Sequence, residues 1–391
     1  MRITHVSDSY LPLLGGIETQ VARLARRQAD AGHDVEVITT TPARPGAHGI
    51  TTGRGDDGVT VHRVAARVPG GYPVHPRSTR HVRGRLRAAD AEGRRPDVVH
   101  LHMGVLAPTT QAALRPVTRL GLPALLTVHS VWDGWERAFA ALDGAARWSA
   151  WPVQWSAVSE LTAAPLRRIV GRRLGAAEAD ARVSVLGNGI DVDAWRLPRT
   201  ERGDRAEGHE VHVVSATRFA PRKRVLPMLE AIAAAAGRAP GALVATIGGD
   251  GPQLAEARAW VRDKGLSDVV RLVGRLSPTE LKRLYVRADV FVAPAVQDAF
   301  GIAALEAQAA GLAVVSRSQS GVAERLVDGR DALLVDDDDA MADALVRLAR
   351  QPDLLDAIIA HNRTADLATS WPRVLADTEA AYRRAATLTQ R

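Results

Sequence analysis

Two carboxylates eight positions apart, Asp298 and Glu306, bound the segment with the most chemistry in this chain. Between them Asp298-Ala299-Phe300-Gly301 leads into Ile302 and a run rich in alanine, Ala303-Ala304-Leu305, then Ala307, Ala309 and Ala310. Gly301 is placed to open a helix and turn its free N–H groups toward a phosphate. Carboxylates near one helix start can accept hydrogen bonds from ribose and sugar hydroxyls. An ordinary surface glutamate is a poor reading of Glu306, because its helix is otherwise apolar and a buried charge without a partner is costly. Arg218 and Lys223 follow the strand-like run Val211–Thr217. Two cations in a loop at a strand end suit a diphosphate, whose charge grows as a nucleotide departs. Arg222 and Arg224 flank Lys223, so a solvated basic turn is an equal local reading.

Other candidates are weaker one by one. Gly15-Gly16 follows the first strand and precedes a helix, where glycine lets backbone approach a ligand. The pair lacks the G-x-G-x-x-G spacing of a dinucleotide fold, and a plain tight turn explains it as well. Gly248-Gly249-Asp250-Gly251-Pro252 ends another strand and has the same two readings. His129 ends the strand Ala124–Val128, where its imidazole could meet a sugar hydroxyl. His100 and His102 alternate along a strand-like run and read as structural residues.

These residues need a scaffold that brings strand ends together. Strand-like runs fall at Arg2–Ser7, Asp34–Thr40, Val59–Val64, Asp97–Leu101, Ala124–Val128, Val153–Ser159 and Arg182–Leu186. After the charged, aperiodic stretch Arg196–Gly208 a second series runs Val211–Thr217, Leu243–Gly248, Val269–Val273, Val290–Ala293, Ala313–Ser316 and Ala332–Val335. Amphipathic helices fit between them, such as Ile17–Ala31 and Val225–Ala236. Strands alternating with helices predict parallel sheets. The expected fold is therefore α/β, with two tandem doubly wound Rossmann-like domains over residues 1–200 and 209–371. A final helix over 372–391 is read as returning to the first domain. The cleft between two such sheets is the default active site.

Composition removes other classes. At 391 residues the chain is too long for one ordinary core. It has no cysteine, which excludes disulfides, thiolate metal sites and a cysteine nucleophile. The net charge of +7 comes without zinc-finger or RNP-like motifs, and aromatics are only 4%, so no nucleic-acid partner is expected. The start lacks the apolar core of a secretory signal and no apolar run reaches bilayer length, so a cytoplasmic place is the expectation. Arg77, Arg80, Arg83, Arg85 and Arg87 form one basic run, and Arg167, Arg168, Arg172 and Arg173 another. An anionic acceptor, or peripheral contact with an acidic inner membrane face, competes there with a solvated arginine surface. Trp132, Trp135, Trp148, Trp151 and Trp155 crowd one region and read as packing before sugar stacking.

Taken in order, the motifs resemble family 4 of the retaining glycosyltransferases, which have the GT-B fold. The match runs from Gly15-Gly16 through Asn188-Gly189-Ile190-Asp191, Arg218 to Lys223, and Gly249-Asp250-Gly251-Pro252. It continues with Gly274-Arg275-Leu276, Leu284-Tyr285-Val286-Arg287-Ala288-Asp289, the Asp298 to Glu306 element and Trp371. The resemblance implies an acceptor-binding first domain and a second domain that binds a nucleotide-sugar donor. It gives Arg218 and Lys223 the diphosphate, Glu306 the ribose, Asp298 the transferred sugar, and the Phe300-Gly301-Ile302 backbone the phosphate and sugar. It gives the Arg275-Leu276 backbone the base, His129 the donor sugar, and Gly16, beside Gly15, the phosphate and acceptor. It implies a hexose or N-acetylhexosamine donor, UDP before GDP, retention without a metal or other cofactor, and a small-molecule or lipid-linked acceptor. Asp298 stands where the family usually has glutamate, Thr217 where it has glycine, and Ser320-Gly321 where it has two glycines. A nucleotide-sugar epimerase and a non-catalytic sugar-nucleotide module remain as alternatives.

Overall fold

A computed structural model describes residues 1–13, 15–66, 74–132, 134–196 and 210–390. The chain divides into two compact units, Met1–Gly189 with Trp371–Arg391, and Ile190–Ser370.

The first unit holds eight strands: β1 (Arg2–Ser7), β2 (Asp34–Thr39), β3 (Gly49–Arg54), β4 (Thr60–Ala65), β5 (Val98–Met103), β6 (Ala124–Val128), β7 (Val153–Ala157) and β8 (Val183–Val185). They form one sheet in the order β3-β4-β2-β1-β5-β6-β7-β8. Every pairing is parallel except β3 with β4. The near-continuous burial of β5, β6 and β7 is what parallel strands with both faces covered require. β3 was not foreseen, and the sheet is not purely parallel. All six of its residues are exposed, so this edge strand carries no hydrophobic alternation to detect.

The closing helix, Trp371–Thr389, buries Val374, Thr378, Ala381, Tyr382 and Ala385. It packs on β5, β6, β7 and the helix Gly16–Asp30, all in the first unit. Gly189 lies against it: a Cβ there would come 2.4 Å from the Trp371 ring.

The second unit holds β9 (Val211–Ala216), β10 (Leu243–Gly248), β11 (Val270–Gly274), β12 (Val290–Ala293), β13 (Ala313–Arg317) and β14 (Ala332–Val335). The order is β11-β10-β9-β12-β13-β14, parallel throughout. The sequence reading ended the first domain at residue 200, whereas the second unit begins at Ile190. Ile190 N–H donates to the Thr369 carbonyl at 2.8 Å, and the Trp195 ring meets Tyr285 at 5.5 Å, so both residues are bound into the second unit. Of the expected linker Arg196–Gly208, residues 197–208 lie outside the described residues. Among the described residues no helix is long and apolar enough to cross a membrane.

Candidate functional site

Strand order locates the site in the second unit. From β9 the chain steps to β10 and β11 on one side, then returns to place β12 on the other. Loops after β9 and β12 therefore diverge at a topological switch point, where open α/β sheets leave a crevice for ligands. Arg218 and Lys223 follow β9, and Asp298 to Gly301 follow β12. The two loops meet: Lys223 Nζ donates to Asp298 Oδ2 at 2.7 Å. The other Asp298 oxygen accepts from Gly301 N–H at 3.0 Å and more distantly from Phe300 N–H at 3.4 Å. Burial opposes ionisation of Asp298, but the Lys223 ammonium and these N–H groups outweigh it and hold the carboxyl below its ordinary value. A carboxylate thus occupies donors that suit an anion.

Gly301 caps the helix Ile302–Ala309 with φ of 73°, and a Cβ there would lie 1.9 Å from Val322 Cγ2. Only glycine fits both demands. Ile302 opens the helix, and Glu306 is buried on it among Ala304, Leu305 and Ala307. Burial first, and the Glu306 charge second, raise the Tyr285 hydroxyl well above its ordinary value.

The glycine turn after β10 has a structural purpose. Thr217 N–H donates to the Gly248 carbonyl at 3.0 Å and Phe219 N–H to the Asp250 carbonyl at 2.9 Å, one on each side of Arg218. A Cβ on Gly249 would sit 1.8 Å from the Thr217 carbonyl oxygen, and one on Gly251 2.5 Å from that of Phe219. The turn clamps the Arg218 loop. Arg218 itself is exposed, and no carboxylate pairs with it among the described residues. Arg224 is unlike it, because it forms an ion pair with Asp338, which also binds Arg317 at 2.8 Å. Arg222 remains exposed. Arg275 and Leu276 follow β11; Arg275 reaches Asp250 at 3.3 Å, and Leu276 packs beside Gly248.

Sequence reasoning missed Arg325. Its guanidinium lies 4.2 Å from the Phe300 ring centroid and donates to the Gly321 carbonyl at 3.1 Å. Gly321 in turn donates its N–H to the Asp298 carbonyl at 2.9 Å. Ser320-Gly321 was the only sequence signal for this buttress, because a lone arginine on a short turn carries no pattern.

In the first unit, Gly15 caps the helix Gly16–Asp30, and a Cβ on Gly16 would meet nothing within 4 Å. His129 ends β6, half-buried, with Nε2 at 3.1 Å from His102 Nδ1. Burial pulls the His129 ring down to about 4. His100 and His102 are buried, as their structural reading required. Three of the four arginines in the second basic run are paired: Arg167 with Glu160, Arg168 with Glu136 and Arg173 with Asp143. In the first run Arg85 pairs with Glu36, while Arg77, Arg80, Arg83 and Arg87 are exposed. Of the crowded tryptophans, Trp132, Trp148, Trp151 and Trp155 join the core and Trp135 is 44% exposed.

Two Rossmann-like units, the second with cations and a helix start at its switch point, define a class of nucleotide-handling fold. Comparison with known proteins fixes the family. Residues 14–194 match the family described as Glycosyltransferase Family 4, and residues 210–351 match Glycosyl transferases group 1. The chain is 30% identical over 353 residues to D-inositol 3-phosphate glycosyltransferase 2 of Catenulispora acidiphila, covering 82% of this chain and 78% of that protein. It is 28% identical to GDP-mannose:cellobiosyl-diphosphopolyprenol alpha-mannosyltransferase of Xanthomonas campestris, over 90% and 88% of the two chains. Among solved structures, Anabaena Alr3699/HepE in complex with UDP and glucose superposes with a TM-score of 0.66 at 16% identity, over 100% and 97% of the chains. The chain belongs to the GT-B glycosyltransferases of the family 4 type, and it is a sugar transferase. That sets aside the epimerase and the non-catalytic module.

Proposed function

We propose that this glycosyltransferase moves a hexose or N-acetylhexosamine from a nucleoside diphosphate sugar to a hydroxyl acceptor, with retention and without a metal. The observation that carries the proposal is the Lys223–Asp298 pair seated on the N–H groups of Phe300 and Gly301. Arg218, exposed on the same loop as Lys223, adds a second cation. A diphosphate would draw on both cations and on the helix start, which together take the place of a metal. Glu306 would accept from the ribose hydroxyls, Asp298 from the sugar, and the Arg275-Leu276 backbone would border the base. His129 is assigned a hydroxyl of the transferred sugar, and Gly15-Gly16 the phosphate and acceptor. In the reaction the bond from the anomeric carbon to the diphosphate oxygen breaks. The acceptor oxygen bonds to that carbon on the same face, and its proton passes to the departing phosphate.

UDP is our first base. GDP is the second, supported by the relative named for GDP-mannose. The acceptor is proposed to be a small molecule or lipid-linked, and anionic. Two relatives are named for phosphate-bearing acceptors, and four arginines of the first basic run stay exposed. A thermal-shift panel of UDP, GDP and ADP sugars selects the donor. Donor hydrolysis by the pure protein, lost in Lys223→Ala and in Glu306→Ala, tests the site. An inverted product anomer by NMR would refute retention, and activity abolished by chelator and restored by Mg²⁺ or Mn²⁺ would refute metal independence. Salt-sensitive sedimentation with anionic liposomes tests peripheral membrane contact.

A further inference from the structure

Four histidines of the first unit, His5, His100, His102 and His129, stand in one hydrogen-bonded path, the first three of them buried. Ring nitrogens of His5, His100 and His102 lie within 4.8 Å of one another, close enough to share a cation. Their nitrogens are already engaged, however. His5 uses Nδ1 on His102 and Nε2 on Gln28 Oε1. His100 uses Nδ1 on the Tyr382 hydroxyl and Nε2 on Thr127 Oγ1. His102 uses Nε2 on His5 and Nδ1 on His129. The cluster therefore reads as a proton-ordered path rather than a metal site.

The direction of that path follows from one group that can only accept. Ser156 Oγ lies 3.2 Å from the Leu126 carbonyl and must donate to it. Ser156 has no second proton, so Thr127, 2.6 Å away, must donate to Ser156. Thr127 is then the acceptor for His100, whose Nε2 carries the proton at 2.7 Å. Burial keeps these rings neutral, so a ring protonated at Nε2 has a bare Nδ1. His100 Nδ1 therefore accepts from Tyr382, at 2.9 Å. Tyr382 has spent its proton, so Gln28 must turn its NH₂ to it, also at 2.9 Å. Gln28 Oε1 then faces His5, which donates from Nε2 at 2.7 Å. His5 Nδ1 is bare and takes the proton of His102 Nε2 at 2.9 Å. His102 Nδ1 is bare in its turn and takes the proton of His129 Nε2 at 3.1 Å. Each hydroxyl and ring proton is used once. The path ends at His129 Nδ1, bare and without a partner among the described residues.

We propose that Ser156, Thr127, His100, Tyr382, Gln28, His5 and His102 are positioning residues that fix His129 as its Nε2–H tautomer and present Nδ1 as a hydrogen-bond acceptor. The ligand chemistry this selects is a hydroxyl that donates. That part rests on the proposed contact of His129 with a sugar hydroxyl; the tautomer itself does not. A backbone carbonyl at one end of the path thus sets the polarity of a ligand-facing atom at the other.

Long-range ¹H–¹⁵N correlation spectra of histidine-labelled protein at pH 7.5, without ligand, test the relay. His129→Gln identifies the His129 signals. The expected result is four rings, each protonated at Nε2 and bare at Nδ1. A His129 protonated at Nδ1, or opposite tautomers within the path, would overturn the proposal. Gln28→Met removes the acceptor for His5 and should shift His129 toward a mixture of tautomers. Unchanged His129 signals in Gln28→Met also overturn it. Should Gln28→Met not fold, Ser156→Ala opens the other end of the path with the same expectation. In activity assays Gln28→Met should lower kcat/KM on the order of tenfold, the scale of one misdirected hydrogen bond. A His129→Ala enzyme with unchanged KM and kcat would remove the sugar contact and leave the tautomer result standing.

Discussion

Lowering the pH from 7 to 5 should destabilise the first unit, because its buried histidines His5, His100 and His102 are held neutral. His5 is fully buried, and burial lowers it from 6.5 to about 4, against a smaller upward pull from the Gln28 hydrogen bond. Burial, then neighbouring histidine charge, puts His100 and His102 well below the ordinary value. A lowered folded pKa means that the unfolded chain binds the extra protons. Stability is therefore whole above about pH 6.5 and falls as pH drops toward the folded values. For His5 the linkage relation gives a loss of about 2 kcal/mol between pH 7 and 5. His100 and His102, lowered in the same direction, add to that loss. Urea titrations at pH 7, 6 and 5, followed by tryptophan fluorescence, read this directly. Six of the eight tryptophans, Trp132, Trp135, Trp148, Trp151, Trp155 and Trp371, belong to the first unit. A fall of less than about 1 kcal/mol from pH 7 to 5 would mean that these rings are not held neutral, and the reasoning fails.

Other perturbations address the second unit. Gly249→Ala and Gly251→Ala push a Cβ into the Thr217 and Phe219 carbonyls and should cost roughly 3–5 kcal/mol by urea unfolding. Gly301→Ala meets Val322 and a positive φ together, and should both lower the melting temperature and weaken diphosphate binding. Asp298→Asn frees Lys223 and removes a negative charge from the anion site, so nucleoside diphosphate alone should bind more tightly while sugar transfer falls; tighter binding absent by calorimetry would count against the pairing. Arg325→Leu should leave folding intact and raise the KM for donor several-fold by loosening Phe300.

Much of this was legible in the chain. Buried parallel strands such as β5, β6 and β12 write themselves as short apolar runs, so the two α/β series stood out. β3 was invisible because an exposed edge strand needs no apolar face. Glu306 could be singled out because a carboxylate on an alanine-rich helix is chemically out of place. The role of Gly249 and Gly251 could not, since a turn that clamps a neighbouring loop and one that cradles a ligand demand the same residue. The histidine path was hidden for another reason. His5, Gln28, His100, Thr127 and Tyr382 are far apart in sequence, and only the pairing of β1, β5 and β6 with two packed helices brings them together.

The central claim is that the loops after β9 and β12 hold the diphosphate of the donor. Isothermal titration of UDP and GDP into the wild-type protein and Lys223→Ala, with the fold checked by circular dichroism, tests it most directly. The account predicts saturable binding of at least one nucleotide to the wild type. It predicts a loss of on the order of 10²-fold or more in Lys223→Ala, since the variant loses a cation and leaves Asp298 to repel the phosphates. Equal affinities in the two proteins would contradict it.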